Sequence, residues 1–359
     1  MTYGIFKCLS AALLLTCSAA VAQTPDSQKG LRDYYKDYFP IGVSISPRDV
    51  TGPESVLILK HFSSLTAENM MKMGPIHPEE DRYNFEPADR IVDFGITNGL
   101  RVRGHTLCWH NQTPGWLFTG AEGEEVTKEV LLNRLKEHIT AVVSRYKGKV
   151  YAWDVVNEAV DDNPDNYLRK SKWFQVCGEE YIAKAFQYAH EADPDALLFY
   201  NDYNAVKPGK RDNIYKLLSG LIKAGVPVHG VGIQGHWSID EPTEGDLRDA
   251  IEKYASLGLQ VHVTELDVSV YPKEERREPR DDDKADFTPE LEKRQIEKYS
   301  MIFKVFRDYK DKISSVTFWN VSDRRSWLDN FPVRGRKDFP LLFDQQLQPK
   351  KAYWEVVKF

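Results

Sequence analysis

The 359-residue chain carries 48 Lys and Arg against 54 Asp and Glu, a formal net charge of −6, so it lacks the basic footprint of a nucleic-acid binder. Hydrophobic residues make up 42% and charged residues 28%, enough apolar material for a large soluble core. The length suits either two ordinary domains or one large α/β barrel.

The N-terminus reads as a targeting segment. Lys7 supplies a positive start, residues 9–20 form a mostly apolar run too short to span a bilayer, and Ala20-Val21-Ala22 is a small-x-small cleavage site. The expectation is a signal peptide at residues 1–22 and a mature chain at residues 23–359, periplasmic or exported. A lipoprotein processed at Cys17 is the alternative, and Thr16 before that Cys fits it poorly. No later run is apolar for long enough to make a membrane span.

Cleavage leaves Cys108 and Cys177, too few for a disulfide framework. They could pair in an oxidising compartment, but Cys108 sits inside a strand pattern and reads as a small packed apolar group. No CxxC or HExxH is present, so no metal site is signalled, and no cofactor is expected.

Strand-like runs recur at residues 41–46, 64–68, 101–109, 151–158, 197–204, 230–237, 260–267 and 315–322. Between them lie stripes with the 3.6-residue helical period. Leu131, Leu135, Ile139, Val142 and Tyr146 form one, and Tyr299, Ile302, Phe303 and Phe306 belong to another. This alternation predicts an α/β fold, a single (β/α)8 TIM barrel with the active site at the C-terminal ends of the strands. No Gly-rich phosphate turn follows the first strand, as a doubly wound sheet would want, and no linker divides the chain. Residues 272–289, after the seventh strand, carry runs of both charges. They read as a solvated loop, with a cleft wall or partner contact as the alternative.

Two apolar runs end in acids, Glu158 and Glu265. A lone carboxylate in a dry core is costly, so two at matching strand ends suggest an acid and a nucleophile facing one cleft, the arrangement that cleaves a glycosidic bond. Asn157 and Glu158 are adjacent and would point to opposite faces of a regular strand, so a twist or bulge at the rim is needed to bring both inward. His236 is a candidate donor to Glu265, and Asp267, on the same face as Glu265, could orient that histidine. By itself His236 also fits a core histidine with a backbone partner.

These segments resemble glycoside hydrolase family 10, the endo-β-1,4-xylanase family. The resemblance runs through Thr66-Ala67-Glu68-Asn69-Met70-Met71-Lys72, Gly104-His105-Thr106-Leu107-Cys108-Trp109-His110 and Trp153-Asp154-Val155-Val156-Asn157-Glu158-Ala159. It continues through Asn201-Asp202-Tyr203-Asn204, Gly232-Ile233-Gln234-Gly235-His236-Trp237, Thr264-Glu265-Leu266-Asp267, Phe318-Trp319 to Ser326-Trp327, and Pro340-Leu341-Leu342-Phe343-Asp344. It covers essentially the whole mature chain. It implies a retaining enzyme with Glu158 as acid/base and Glu265 as nucleophile.

The resemblance also implies supporting roles. Asn157 would bond the 2-hydroxyl of the attacked sugar, with Gln234 and His236 on the nucleophile side. Lys72, His105 and Trp109 would line the reacting subsite, and Glu68 and Asn69 would hold the next sugar toward the non-reducing end. Tyr203 would be a platform on the leaving-group side, and Trp319 and Trp327 an aromatic floor and wall. Gln112 and Trp327 would crowd the position where glucose carries its hydroxymethyl group. The implied partner is xylan or a xylo-oligosaccharide, and a monomer is the default for such a cleft. A glucan- or mannan-cleaving barrel is one alternative. A barrel that binds sugar without cleaving it is another, and it would be expected to lack one of the acids. One departure from the family pattern is Asn320, where Gly usually follows the strand-eight Trp.

Overall fold

Eight parallel strands close into a barrel in the computed structural model, which describes Met1 and residues 28–280, 283 and 287–359. The expected signal segment, Met1 apart, lies outside the described residues. With one further short strand included, the strands are β1 (Ile41–Ile45), β2 (Ser64–Ala67), β3 (Arg101–Trp109), β4 (Val150–Asn157), β5 (Leu197–Asp202), β6 (Gly230–Ile233), the short β7 (His236–Ser238), β8 (Gln260–Ser269) and β9 (Ile313–Phe318). β1 through β6 pair in sequence, β6 pairs with β8, β8 with β9, and β9 returns to β1. β7 is a short strand alongside the outer half of β8.

The strands are apolar on both faces because helices cover the outside and side chains fill the inside. β1 is buried throughout. The helix Lys128–Arg145 buries Leu131, Leu135, Ile139 and Val142, and the helix Pro289–Asp308 buries Tyr299, Ile302, Phe303 and Phe306. Thr127, Thr243 and Thr288 each accept a backbone N–H in the first turn of a helix, satisfying a donor that has no partner within the helix.

The run expected as one strand at residues 230–237 is two strands. Gly235 turns the chain at φ +82°, a conformation glycine adopts without steric cost, and β7 leaves the barrel wall there. β4 and β9 begin earlier than expected and stop before Glu158 and Trp319, which lie just past their strand ends.

A charged layer fills the barrel beneath the cleft. Arg103, 2% exposed, forms a two-pronged ion pair with the fully buried Asp154, with Nη2 2.6 Å from Oδ1. The guanidinium lies over the Phe199 ring, which stacks on His262. Gly232 has no side chain because a Cβ there would collide with the Asn201 amide. Cys108 and Cys177 are both free and buried, and burial pushes both thiols up. Among the described residues no helix is long and apolar enough to cross a membrane.

Candidate active site

A cleft of about 630 Å³ opens at the C-terminal rim of the barrel. Every candidate site residue borders it: Glu68, Asn69, Lys72, His105, Trp109, Gln112, Asn157, Glu158, Tyr203, Gln234, His236, Glu265, Asp267, Trp319 and Trp327. Its size falls within the range of small-molecule binding clefts.

Glu158 reaches the cleft through an irregular strand end. The β4–β5 register slips between Asp154 and Val156, and Glu158 itself takes a left-handed φ of +58°. The left-handed turn places Asn157 and Glu158, adjacent in sequence, on the same cavity. The Glu158 N–H donates to the Asn201 carbonyl at 2.9 Å. Its Oε1 accepts from Gln234 Nε2 at 2.9 Å and Asn157 Nδ2 at 3.3 Å, and its Oε2 from Trp109 Nε1 at 2.8 Å. His110 Nδ1 lies 4.0 Å from Oε2. Burial lowers the His110 pKa, opposed by the charge of Glu158.

Glu265 sits at 4% exposure in the middle of β8. Its Oε1 accepts from Asn201 Nδ2 at 2.7 Å, and its Oε2 lies 3.1 Å from His236 Nε2. The other ring nitrogen of His236 is 2.9 Å from Asp267 Oδ2, which also accepts from Trp327 Nε1 at 2.8 Å. Burial alone would raise the Glu265 pKa. The positive field of His105, the hydrogen bond and charge of His236, and Lys72 outweigh burial and hold the carboxyl at about 2. Burial would lower His236, but the charge and hydrogen bond of Asp267, with those of Glu265, push it up to about 10. At neutral pH the group is therefore an imidazolium between two carboxylates.

Lys72 donates from Nζ to Asn69 Oδ1 at 3.0 Å and lies over the rings of Trp109 and Trp319, 5.0 and 5.9 Å from their centroids. Burial lowers its pKa, opposed by Glu265, Glu68 and Glu158. Burial raises the Glu68 pKa, opposed by Lys72 and the Asn320 amide. Gln112 Nε2 is 3.5 Å from Asn69 Oδ1, so Gln112 and Asn69 meet on one wall. Trp327 packs against His236 at 4.7 Å between centroids and stacks on Phe331. Tyr203 hydrogen-bonds Asp162 and accepts from Arg169 Nη2 at 2.8 Å.

Several contributors were not assigned roles from sequence. Asn201 links the two acids: its amide donates to Glu265 and, at 2.9 Å, to Asn157 Oδ1, its backbone carbonyl accepts the Glu158 N–H, and Thr264 donates to its Oδ1. It falls within a quoted strand-end motif, so its position was visible and its partners were not. Asp154 orients His105 through a 2.9 Å contact to Nδ1. Tyr271, Pro272, Lys273 and Glu274 form part of the cleft wall, so the start of the charged loop faces the cavity. Arg277 and Arg336 share Glu274 and Asp283 in an ion-pair cluster, and Glu274 and Arg336 of that cluster border the cleft.

Comparison with known proteins matches residues 30–359 to the Glycosyl hydrolase family 10 model. The chain is 51% identical to endo-1,4-beta-xylanase B of Paenibacillus barcinonensis, covering 90% of this chain and 96% of that one. It is 53% identical to a beta-1,4-xylanase of Dictyoglomus thermophilum, covering 92% and 90%. The crystal structure of xylanase XynB from Paenibacillus barcinonensis, complexed with a conduramine derivative, superposes with a TM-score of 0.89 at 50% identity, covering 93% of this chain and 99% of that one. With its closed barrel and its pair of buried carboxyls at one rim, the chain belongs to glycoside hydrolase family 10.

Proposed function

We propose that the chain is an endo-β-1,4-xylanase that hydrolyses internal xylosidic bonds by double displacement with retention, Glu265 acting as nucleophile and Glu158 as acid/base. One observation carries the assignment. Of two carboxyls on the same cleft, Glu265 is held ionised by His236, His105 and Lys72, as a nucleophile must be, while Glu158 is held by the neutral donors Trp109, Gln234 and Asn157. The names of the relatives support β-1,4-xylan as the substrate.

In the first step Glu265 attacks the anomeric carbon and the glycosidic bond breaks. Glu158 gives its proton to the departing oxygen. In the second step Glu158 takes a proton from water, which attacks the same carbon and releases Glu265. Asn157 has its Oδ1 occupied by Asn201 and Gln234 and gives one amide hydrogen to Glu158, which leaves the second to donate to a sugar hydroxyl. Gln112 and Trp327 narrow the cleft where glucose would carry a hydroxymethyl group, which favours xylan. The charged segment, apolar run and cleavage site at residues 1–22 support export.

The test is trapping with a 2-deoxy-2-fluoro-β-xylobioside bearing a dinitrophenolate leaving group, followed by peptide mapping. A sugar adduct on Glu265 is expected. An adduct on another residue, or none with turnover intact, overturns the assignment.

A further inference from the structure

The side-chain donors around Glu158 account for its carboxylate but not for its backbone. A residue with a Cβ keeps a left-handed conformation only where its surroundings over-determine it. At φ +58° the Glu158 backbone is anchored at both ends. Its N–H donates to the Asn201 carbonyl at 2.9 Å, and its own carbonyl accepts from Arg169 Nε at 3.1 Å. Arg169 comes from the far side of the excursion that follows β4. Its backbone N–H bonds the Ala159 carbonyl at 2.8 Å, and a Val160–Leu168 bridge closes that excursion.

The rest of the guanidinium points toward the leaving-group side. Arg169 Nη2 donates to Tyr203 Oη at 2.8 Å and to Asp162 Oδ2 at 3.2 Å. Asp162 is fixed in turn by Lys210, whose Nζ lies 2.8 Å from Asp162 Oδ1 and 2.8 Å from the fully buried Asp202. Lys210 is itself 3% exposed, and its ammonium sits 3.6 Å from the centroid of the Tyr203 ring. Lys210 and Asp202 are the buried part of this chain of alternating charges, where a charge is costly unless it is paired, while Asp162 at the cleft side is exposed. The Arg169 end meets the peptide of Glu158 and the hydroxyl of Tyr203, and the Asp202 end accepts from the Tyr200 hydroxyl.

We propose that Arg169 is a positioning residue that ties the peptide of Glu158 to the Tyr203 platform, fixing the proton donor relative to the departing sugar. The proposal rests on the reading of Glu158 as the acid/base. A proton donor displaced by about 1 Å loses on the order of 10²-fold in rate, and only for leaving groups that need a proton. Arg169 therefore acts on leaving-group dependence.

The experiment is a Brønsted series of aryl β-xylobiosides, from dinitrophenyl to phenyl, together with xylan, on wild type, Arg169→Met and Arg169→Lys. For Arg169→Met, kcat/KM is expected to fall on the order of 10²-fold on xylan and phenyl xylobioside and less than about 5-fold on the dinitrophenyl substrate, giving a steeper slope. Arg169→Lys keeps a cation for Asp162 and loses the planar fork, so it steepens the slope to a lesser degree and reports even if Arg169→Met does not fold. A slope equal to wild type in a folded variant, whether activity is retained or falls uniformly, overturns the proposal. Tyr203→Ala serves as a control for the platform alone, with a higher KM for xylan and an unchanged aryl slope. A Glu158→Ala series with the wild-type slope would instead overturn the acid/base assignment, and the proposal with it.

Discussion

His236 stands between two carboxylates, its Nε2 3.1 Å from Glu265 Oε2 and its Nδ1 2.9 Å from Asp267 Oδ2. The histidine thereby carries a positive charge to the face of Glu265 that is not bonded to Asn201. Asp267, which also accepts from Trp327, links that charge to the aromatic wall.

The histidine's pKa is raised from an ordinary 6.5 to about 10 on folding. Its stabilising effect is therefore complete below pH 6.5 and is lost as pH rises through about 10. Glu265 shifts the other way, from 4.5 to about 2, so its contribution is complete above 4.5 and is lost as pH falls toward 2. Nitrogen NMR of His236 at pH 8 is expected to report an imidazolium. A neutral ring at that pH contradicts the ionic clamp. The gap in melting temperature between wild type and His236→Asn should also narrow between pH 7 and 10.

Glu158→Ala is expected to lower kcat/KM on xylan by about 10²- to 10⁴-fold and on dinitrophenyl β-xylobioside by less than about 10-fold, because the second leaving group needs no proton. Steady-state kinetics on both substrates checks this, and equal losses count against the acid role.

Arg103→Met removes the two-pronged partner of the buried Asp154 and leaves it His105 Nδ1 at 2.9 Å. A loss of about 3–5 kcal/mol in unfolding free energy is expected, read from the urea midpoint and slope. Because Asp154 also orients His105, kcat on xylan should fall in the same variant. A loss below about 1 kcal/mol would mean that the pair is not what balances the barrel interior.

Trp327→Ala opens the wall beside His236 and removes the Asp267 contact. The ratio of kcat/KM on β-1,4-glucan to that on xylan is expected to rise about 10-fold, while kcat on xylan drops. An unchanged ratio would place the filter against glucose elsewhere in the cleft.

The barrel was legible because each buried strand is an apolar run ending in polar residues, a pattern in residue type alone. Glu68, Asn157, Glu158, Gln234 and Glu265 could be read that way. The break at Gly235 was not legible, since a glycine inside an apolar run fits a strand until its φ is known. Asn201 occupied a visible position, but its link between the acids depends on Gly232 leaving room for its amide. The Arg103–Asp154 pair joins residues from two strands and carries no local spacing signal. The wall at Tyr271–Glu274 lies in a stretch whose charges resemble those of a solvated loop, and its contacts with Arg336, Glu241 and the cleft distinguish it.

The most direct measurement is proton NMR of the protein acting on β-1,4-xylan, recording which anomer forms before mutarotation mixes them. A retaining pair of Glu158 and Glu265 gives the β-anomer first. Early α-anomer would contradict the covalent role of Glu265, and no release of sugar would contradict xylan as the substrate.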